Sequence, residues 1–264
     1  MARGGPKFDD RRRRELARAF MAGGEHYEKV RPGYPEDAVD WLVPAQARTA
    51  VDLGAGTGKL SGMLSARGLE VTAVDPSPDM LGELRRLHPG VRTVVGMAES
   101  TGLPAASADL VVAAQAWHWF DVPTATREVV RLLTPGGRAA LVWNQLDTSV
   151  PWVHRLSRIM HAGDVHKPGY HPPSGPELTG WESASFRWEE PITTGGVVEL
   201  AKSRSYYLRA TAEHRGRVEA NLDWYLHEHL GHDIDAVILL PYVTQVWRAR
   251  PSRAQPLVPP HQKA

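Results

Sequence analysis

Residues Val51-Asp52-Leu53-Gly54-Ala55-Gly56-Thr57-Gly58-Lys59-Leu60 bring together an acid, three glycines at alternate positions and a lysine. The apolar run from Thr49 to Leu53 reads as a buried parallel strand, and Lys59 to Arg67 as a helix. Glycine reaches backbone angles that other residues avoid and lets a ligand approach the main chain. A strand, a glycine turn and a helix N-terminus together make a cradle for a nucleotide-type ligand. A phosphate-gripping loop needs Ser or Thr directly after Gly-Lys; here Leu60 follows Gly58-Lys59. The dinucleotide fingerprint sets its third glycine three residues after the second, whereas Gly58 follows Gly56 by two.

Charge separates the remaining candidates. A carboxylate at Asp52 would repel a pyrophosphate and suit a cationic ligand. The second strand, Val71 to Val74, ends in Asp75. An acid about 20 residues past a glycine loop can accept hydrogen bonds from both ribose hydroxyls. S-adenosyl-L-methionine carries a ribose, an ammonium and a sulfonium, and no phosphate.

The stretch Asp52 to Gly58 with Asp75 resembles motif I and the acidic loop of class I S-adenosylmethionine-dependent methyltransferases. Ala114-Gln115-Ala116-Trp117-His118-Trp119-Phe120-Asp121, Leu133-Thr134-Pro135-Gly136-Gly137 and Leu141-Val142-Trp143-Asn144 narrow the resemblance. They are similar to the type 11 branch that includes trans-aconitate methyltransferase-like enzymes. The resemblance runs from about Tyr27 to Arg250. It implies an α/β fold: a Rossmann-like doubly wound sheet of seven strands, mostly parallel with an antiparallel last strand, under an N-terminal helical lid. It divides the chain into an arm and lid helices (1–44), a methyltransferase domain (45–250, with 145–180 lining the substrate side) and a tail (251–264).

The resemblance also implies site residues. Asp52, Gly54, Ala55, Gly56, Asp75, Pro76, Gln115 and the Met97-Ala98-Glu99 loop would hold the cofactor. Met80 would lean on its adenine, or simply pack in the core. Glu99 would meet the adenine edge, or cap a helix. In the family a Tyr…Arg-Pro-x-Tyr-Pro segment covers the cofactor, here Tyr27, Arg31-Pro32-Gly33-Tyr34-Pro35. Arg31 can pair with a methionine carboxylate; the plainer reading of the segment is a turn punctuated by proline and glycine. Trp117, His118, Trp119, Tyr206 and Tyr207 would shape the acceptor site, with Ser203 and Ser205 beside them. His118 is the titratable group there, able to take a proton from a hydroxyl or to serve as a packed structural ring.

The elements that must position these residues follow from pattern. Glu36 to Leu42 should be a helix, with Ser77 the N-cap of the next helix after the glycine-loop helix. Val91 to Val95 and Leu110 to Ala114 read as strands three and four. Glu128, Val129, Arg131, Leu132 and Leu133 suit a helix that Pro135-Gly136-Gly137 ends, and Arg138 to Trp143 reads as strand five with Asn144 at its ligand-facing end. Phe186 to Ile192 reads as strand six and Ile238 to Trp247 as the last strand, where Pro241 argues for an edge position or a bulge. Val197 to Tyr207 and Ala212 to Leu230 read as helices, with Val218, Leu222, Tyr225 and Leu226 on the apolar face of the second.

Composition bounds the rest. A chain of 264 residues with 42% apolar content can bury the core of one large α/β domain. A net charge of +1 gives no global pull toward nucleic acid or membrane. The absence of cysteine removes disulfides, thiolate metal sites and cysteine nucleophiles. No run approaches the ~20 apolar residues of a membrane span, and the N-terminus lacks the apolar core of a signal peptide, so a cytoplasmic protein is expected. His161, His166, His171 and Asp164 have loop spacing that matches no recognised metal site, and no metal is expected. Arg11 to Arg14 reads as a solvated helix start or as an anion-binding run. Nucleic-acid and glutamine amino-methyltransferases often carry an (Asp/Asn/Ser)-Pro-Pro-aromatic motif after strand four; none stands there. The expected activity is methyl transfer to a small-molecule oxygen or carbon acceptor by in-line displacement. The rival readings are a nicotinamide-dependent oxidoreductase and a cofactor-binding protein without activity.

Overall fold

The computed structural model describes residues 24–161, 166 and 169–252. The arginine run at 11–14, the helix expected after it and most of the expected tail lie outside these residues. The chain begins with two short helices, α1 (Gly24–Val30) and α2 (Glu36–Leu42). Alternation follows: β1 (Thr49–Leu53), α3 (Lys59–Ala66), β2 (Glu70–Asp75), α4 (Pro78–Leu87), β3 (Arg92–Val95) and β4 (Ala108–Ala114). Then come α5 (Val122–Leu132), β5 (Leu133–Leu146), α6 (Pro151–Ile159), β6 (Leu178–Thr193), α7 (Thr194–Lys202), α8 (Ser205–Arg209), α9 (Ala212–Asp223) and β7 (Val237–Pro251).

The seven strands form one sheet in the order β3-β2-β1-β4-β5-β7-β6. β1 to β5 pair in parallel, and β7 runs antiparallel to both neighbours. Successive residues of a strand point to opposite faces, and both faces here are apolar. Val51, Leu53, Val111 and Ala113 pack under α5, while Ala50, Leu110 and Val112 pack under α2, α3 and α4. Doubly covered strands of this kind explain the unbroken apolar runs in the sequence. A third cluster, at the β5–β7 end, joins α6, α7 and α9 through Val153, Leu156, Val197, Leu200, Val218 and Leu222. No helix among the described residues is long and apolar enough to cross a membrane.

Capping sets several boundaries. Ser77 accepts the N–H of Met80, with Pro78 at the first helical position, and Asp121 accepts the N–H of Thr124 to open α5. Four expectations need correction. The helix expected over Val197 to Tyr207 is two helices, because Ser203 closes α7 and Arg204 adopts an extended conformation at the N-cap of α8. α5 stops at Leu132 rather than at the Pro135-Gly136-Gly137 hump, which β5 absorbs as a register shift against β4. The long helix after Ala212 continues as a π-helical turn, Trp224–His229. β7 is an inner strand, so Pro241 does not mark a sheet edge. It is tolerated because the β5 ladder ends at Leu146↔Tyr242, so no β5 residue pairs with Pro241, whose carbonyl accepts the N–H of Asp147.

Candidate active site

The sheet reverses its winding between β1 and β4, and in open α/β sheets ligands sit at such a point, off the carboxyl ends of the strands. The glycine loop follows β1 there, and Gly54, Gly56 and Gly58 all take left-handed φ values of 67°, 57° and 87°. They do so for different reasons. A Cβ on Gly54 would lie 2.6 Å from the Cβ of Ala116, and one on Gly58 would lie 2.5 Å from Cγ of Leu84. A Cβ on Gly56 would meet nothing within 4 Å. Packing therefore demands glycine at the two outer positions, while the central one faces open space.

β2 tethers this loop. The Gly54 N–H donates to the Val74 carbonyl at 2.8 Å, and the Gly56 N–H donates to Asp75 Oδ2 at 2.9 Å. Asp75 Oδ1 accepts the Ser77 N–H at 2.8 Å. Burial raises the Asp75 carboxyl above its usual range, and these two N–H donors act against that shift. Asp52 is wholly buried; its Oδ2 accepts the Ser61 hydroxyl at 2.7 Å and its Oδ1 has no hydrogen-bond partner. Burial pushes its pKa up to about 7; the Ser61 bond opposes this and the nearby Asp75 adds to it. The expectation that Asp52 faces a ligand fails on this geometry: side chains alternate along β1, and residue 52 points beneath the loop toward α3.

Above the loop lies a cavity of about 770 Å³, counting its open mouth. Arg31, Gly54, Ala55, Gly56 and Gln115 border it, as do Tyr34 and Asn144. Leu60, expected as a core residue only, lines the cavity as well as packing below it. Gln115 holds a left-handed φ of 55°, rare for a side-chain-bearing residue and characteristic of functional turns. Its amide donates to the Asn144 carbonyl at 3.0 Å. The Asn144 amide donates to the Gly33 carbonyl at 2.6 Å and accepts the Thr244 hydroxyl. Glu28, on α1, accepts from Thr57 and receives Lys59 Nζ at 2.8 Å, so the first helix is pinned over the loop. Tyr27 lies on the same helix; its side chain is outside the described residues.

Arg204 and Tyr242 line it as well. Arg31 donates to the Ser203 carbonyl at 3.0 Å, tying the lid segment to the α7–α8 junction. Burial drives the Tyr242 hydroxyl up, and the guanidinium charges of Arg204 and Arg31 pull it the other way. Sequence reasoning missed Glu28, Arg204 and Tyr242. Glu28 falls at an unspecified position of the lid segment, and Arg204 and Tyr242 belong to no motif; tertiary packing brings each of them in.

Other expected site residues stand apart from this cavity. Asp75, Pro76, Met80, Met97, Ala98 and Glu99 do not line it, and Asp75 is joined to it through the N–H of Gly56. Met80 and Ala98 are buried, and Met97 is half-exposed. Glu99 Oε1 accepts the Asp121 N–H at 2.7 Å, the helix-capping alternative. Trp117 is 1% exposed, donates its indole N–H to the Pro173 carbonyl and meets Phe120 edge-on, so it is core rather than acceptor wall. His118 is exposed on the short 3₁₀ turn Trp117–Trp119, with Nδ1 at 3.4 Å from the indole N–H of Trp143. Trp119 packs against the core beneath α5. Tyr206 stacks on His161, and Tyr207 donates to Glu219 under Arg215. The α7–α8 break turns both rings away from the cavity. The three histidines weighed as metal ligands go to three different aromatic rings, His161 to Tyr206, His166 to Tyr170 and His171 to Trp181.

This sheet order, with a tethered glycine loop and an acid-ended second strand at the switch point, defines a Rossmann-like methyltransferase fold. The comparisons with known proteins agree. A family model described as a methyltransferase domain matches residues 51–141. An uncharacterized methyltransferase of Mycobacterium tuberculosis is 40% identical over 238 residues, 90% of this chain and 97% of the relative. A methyltransferase-like protein of Schizosaccharomyces pombe is 31% identical over 225 residues, 78% of this chain and 85% of the relative. Among solved structures, a protein described as a type II methyltransferase from Anaeromyxobacter dehalogenans matches with a TM-score of 0.63 at 29% identity, covering 83% of this chain and 97% of that one. The chain belongs to the S-adenosylmethionine-dependent methyltransferase family.

Proposed function

We propose that this chain binds S-adenosyl-L-methionine against the glycine loop and methylates a small-molecule acceptor, at oxygen or carbon, in the cytoplasm. The observation that carries the reading is Gly56. Its φ is left-handed, the space where a side chain would stand is open, and its N–H is held by the acid at the end of β2. Such a cradle fits a ribose-bearing ligand: Asp75 has acceptor capacity for two hydroxyls besides the two N–H groups it already takes. The cavity also offers the Gln145 amide nitrogen, buried and without a hydrogen-bond partner.

The cofactor supplies an electrophilic methyl group for in-line displacement. The chain's own residues bind, align and exclude water, which is the protein's share of such catalysis. Arg31 would take the methionine carboxylate. Arg204 and Tyr242, across the cavity, would front the acceptor. Glu28, through Thr57 and Lys59, would keep the lid helix closed over the loop. His118 does not line this cavity, so the reading assigns it no proton transfer. The near-zero net charge supports a small acceptor rather than a nucleic acid.

Calorimetry with S-adenosylhomocysteine tests the reading. Binding is expected, with Asp75→Ala weakening it by about 1–3 kcal/mol through lost charge-assisted hydrogen bonds. Heat with a nicotinamide dinucleotide and none with S-adenosylhomocysteine would overturn it.

A further inference from the structure

Away from the glycine loop, α6 and α9 lie side by side over the third apolar cluster. Their inward faces carry Val153, Leu156, Val218 and Leu222. Their outer shoulders border an open groove of about 1380 Å³, counting its mouth. The basic residues lining it are His154, Arg155, Arg158, His161, His214 and Arg217. Helical spacing puts them there: 154 and 158 are four apart on α6, and 214 and 217 are three apart on α9.

No carboxylate is among the described lining residues. The acids of α9 are engaged elsewhere or point away. Glu219 accepts the Tyr207 hydroxyl and faces Lys202 at 3.7 Å, and Asp223 pairs with His227. Glu213 does not line the groove. Arg155 is held over the rings of Trp224 and Tyr225, with Nη1 3.2 Å from His229. The side chains of Arg158 and Arg217 make no ion pair or hydrogen bond to any described residue. Like charges gathered on two packed helices repel one another, and an anion seated between them relieves that repulsion.

We propose that this groove binds a multiply charged anion, one carrying at least two phosphate or carboxylate groups. A single carboxylate needs one guanidinium; here Arg158 and Arg217 stand on opposite walls, with three imidazoles between and beside them. Guanidinium presents a fixed fork of donors that matches either oxyanion. The groove adjoins the glycine-loop cavity through α8, since Arg204 at its N-cap lines the cavity and Tyr206, two residues on, lines the groove. An anion held here therefore sits next to the proposed acceptor wall without touching the glycine loop.

The experiment is calorimetric titration of the full chain with tripolyphosphate and, separately, citrate, at low and at moderate salt. Wild type should bind at least one of them with unit stoichiometry, and more weakly as salt rises. The double variant Arg158→Ala/Arg217→Ala should lose affinity at least about tenfold, while Arg127→Ala, an exposed arginine on α5, should bind as wild type does. Arg217→Gln, which keeps the stem to Cδ and a polar end but removes the charge, should show a smaller loss in the same direction and guards against misfolding of the double variant. Preference for one titrant assigns the groove to phosphates or to carboxylates. Absence of heat with both, or equal binding by the double variant and wild type, overturns the proposal. No arm uses the methyl donor, so the outcome is independent of the proposed reaction.

Discussion

The floor and the roof of the cavity are built by different means. The floor is a run of consecutive residues, Gly54 to Thr57, whose shape is set by backbone angles and by N–H donors from the loop to β2. The roof is assembled from Arg31, Asn144, Arg204 and Tyr242, far apart in the chain and held by side-chain hydrogen bonds. A floor of this kind is closed to added atoms at Gly54 and open at Gly56, whereas a roof of this kind can lose one contact and keep its shape. The methyl donor is proposed to meet the rigid part, and the acceptor the adjustable part.

The largest expected effect comes from beneath the floor. The folded-state pKa of Asp52 is raised to about 7 by burial, well above the ordinary carboxylate value. Its neutral form is therefore favoured by folding. That advantage is complete below about pH 4 and is lost as pH rises through about 7. Asp52→Asn should remove this dependence. Between pH 4 and pH 8 wild type should lose up to about 4 kcal/mol relative to the variant, read by urea unfolding at several pH values. A difference that stays constant with pH would mean that Asp52 is solvated in the folded protein.

Next come the glycines. Gly54→Ala adds a carbon 2.6 Å from Ala116 at a left-handed φ and should cost about 3 kcal/mol of stability. Gly56→Ala meets no atom, so only the backbone cost of about 1 kcal/mol applies. Yet it should reduce S-adenosylhomocysteine affinity more than any other change of one carbon in the loop. Equal stability losses at the two positions would erase the distinction between packing and access.

The roof should respond more mildly. Asn144→Ala leaves the Gly33 carbonyl and the Thr244 hydroxyl without that partner, at about 1–2 kcal/mol. Amide exchange should quicken in residues 24–34 and stay unchanged in the glycine loop; quickening in both would show that floor and roof form one cooperative unit. The smallest effect is at His118, exposed and clear of the cavity. His118→Ala should change stability by less than about 0.5 kcal/mol and leave the pH profile of methyl transfer intact. A lost ionisation in that profile would move the acceptor site to the 3₁₀ turn after β4.

By itself the sequence determined the parts whose cause is local. Thr49 to Leu53, Glu36 to Leu42, the Ser77 cap and the three glycines follow from apolar runs, cap chemistry and backbone freedom, all confined to a few neighbouring residues. The antiparallel last strand and the seven-stranded sheet came through family resemblance, carried by those same short motifs. Only the tertiary structure decided which side chains meet. It turned Asp52 under the loop, Trp117 into the core, and Tyr206 and Tyr207 outward, and it drew Arg204, Tyr242 and Glu28 to the cavity. The residue before a turn and the residue after a helix break have orientations set by what packs against them. That depends on contacts between elements a hundred residues apart, for which a single chain read in order carries no signal.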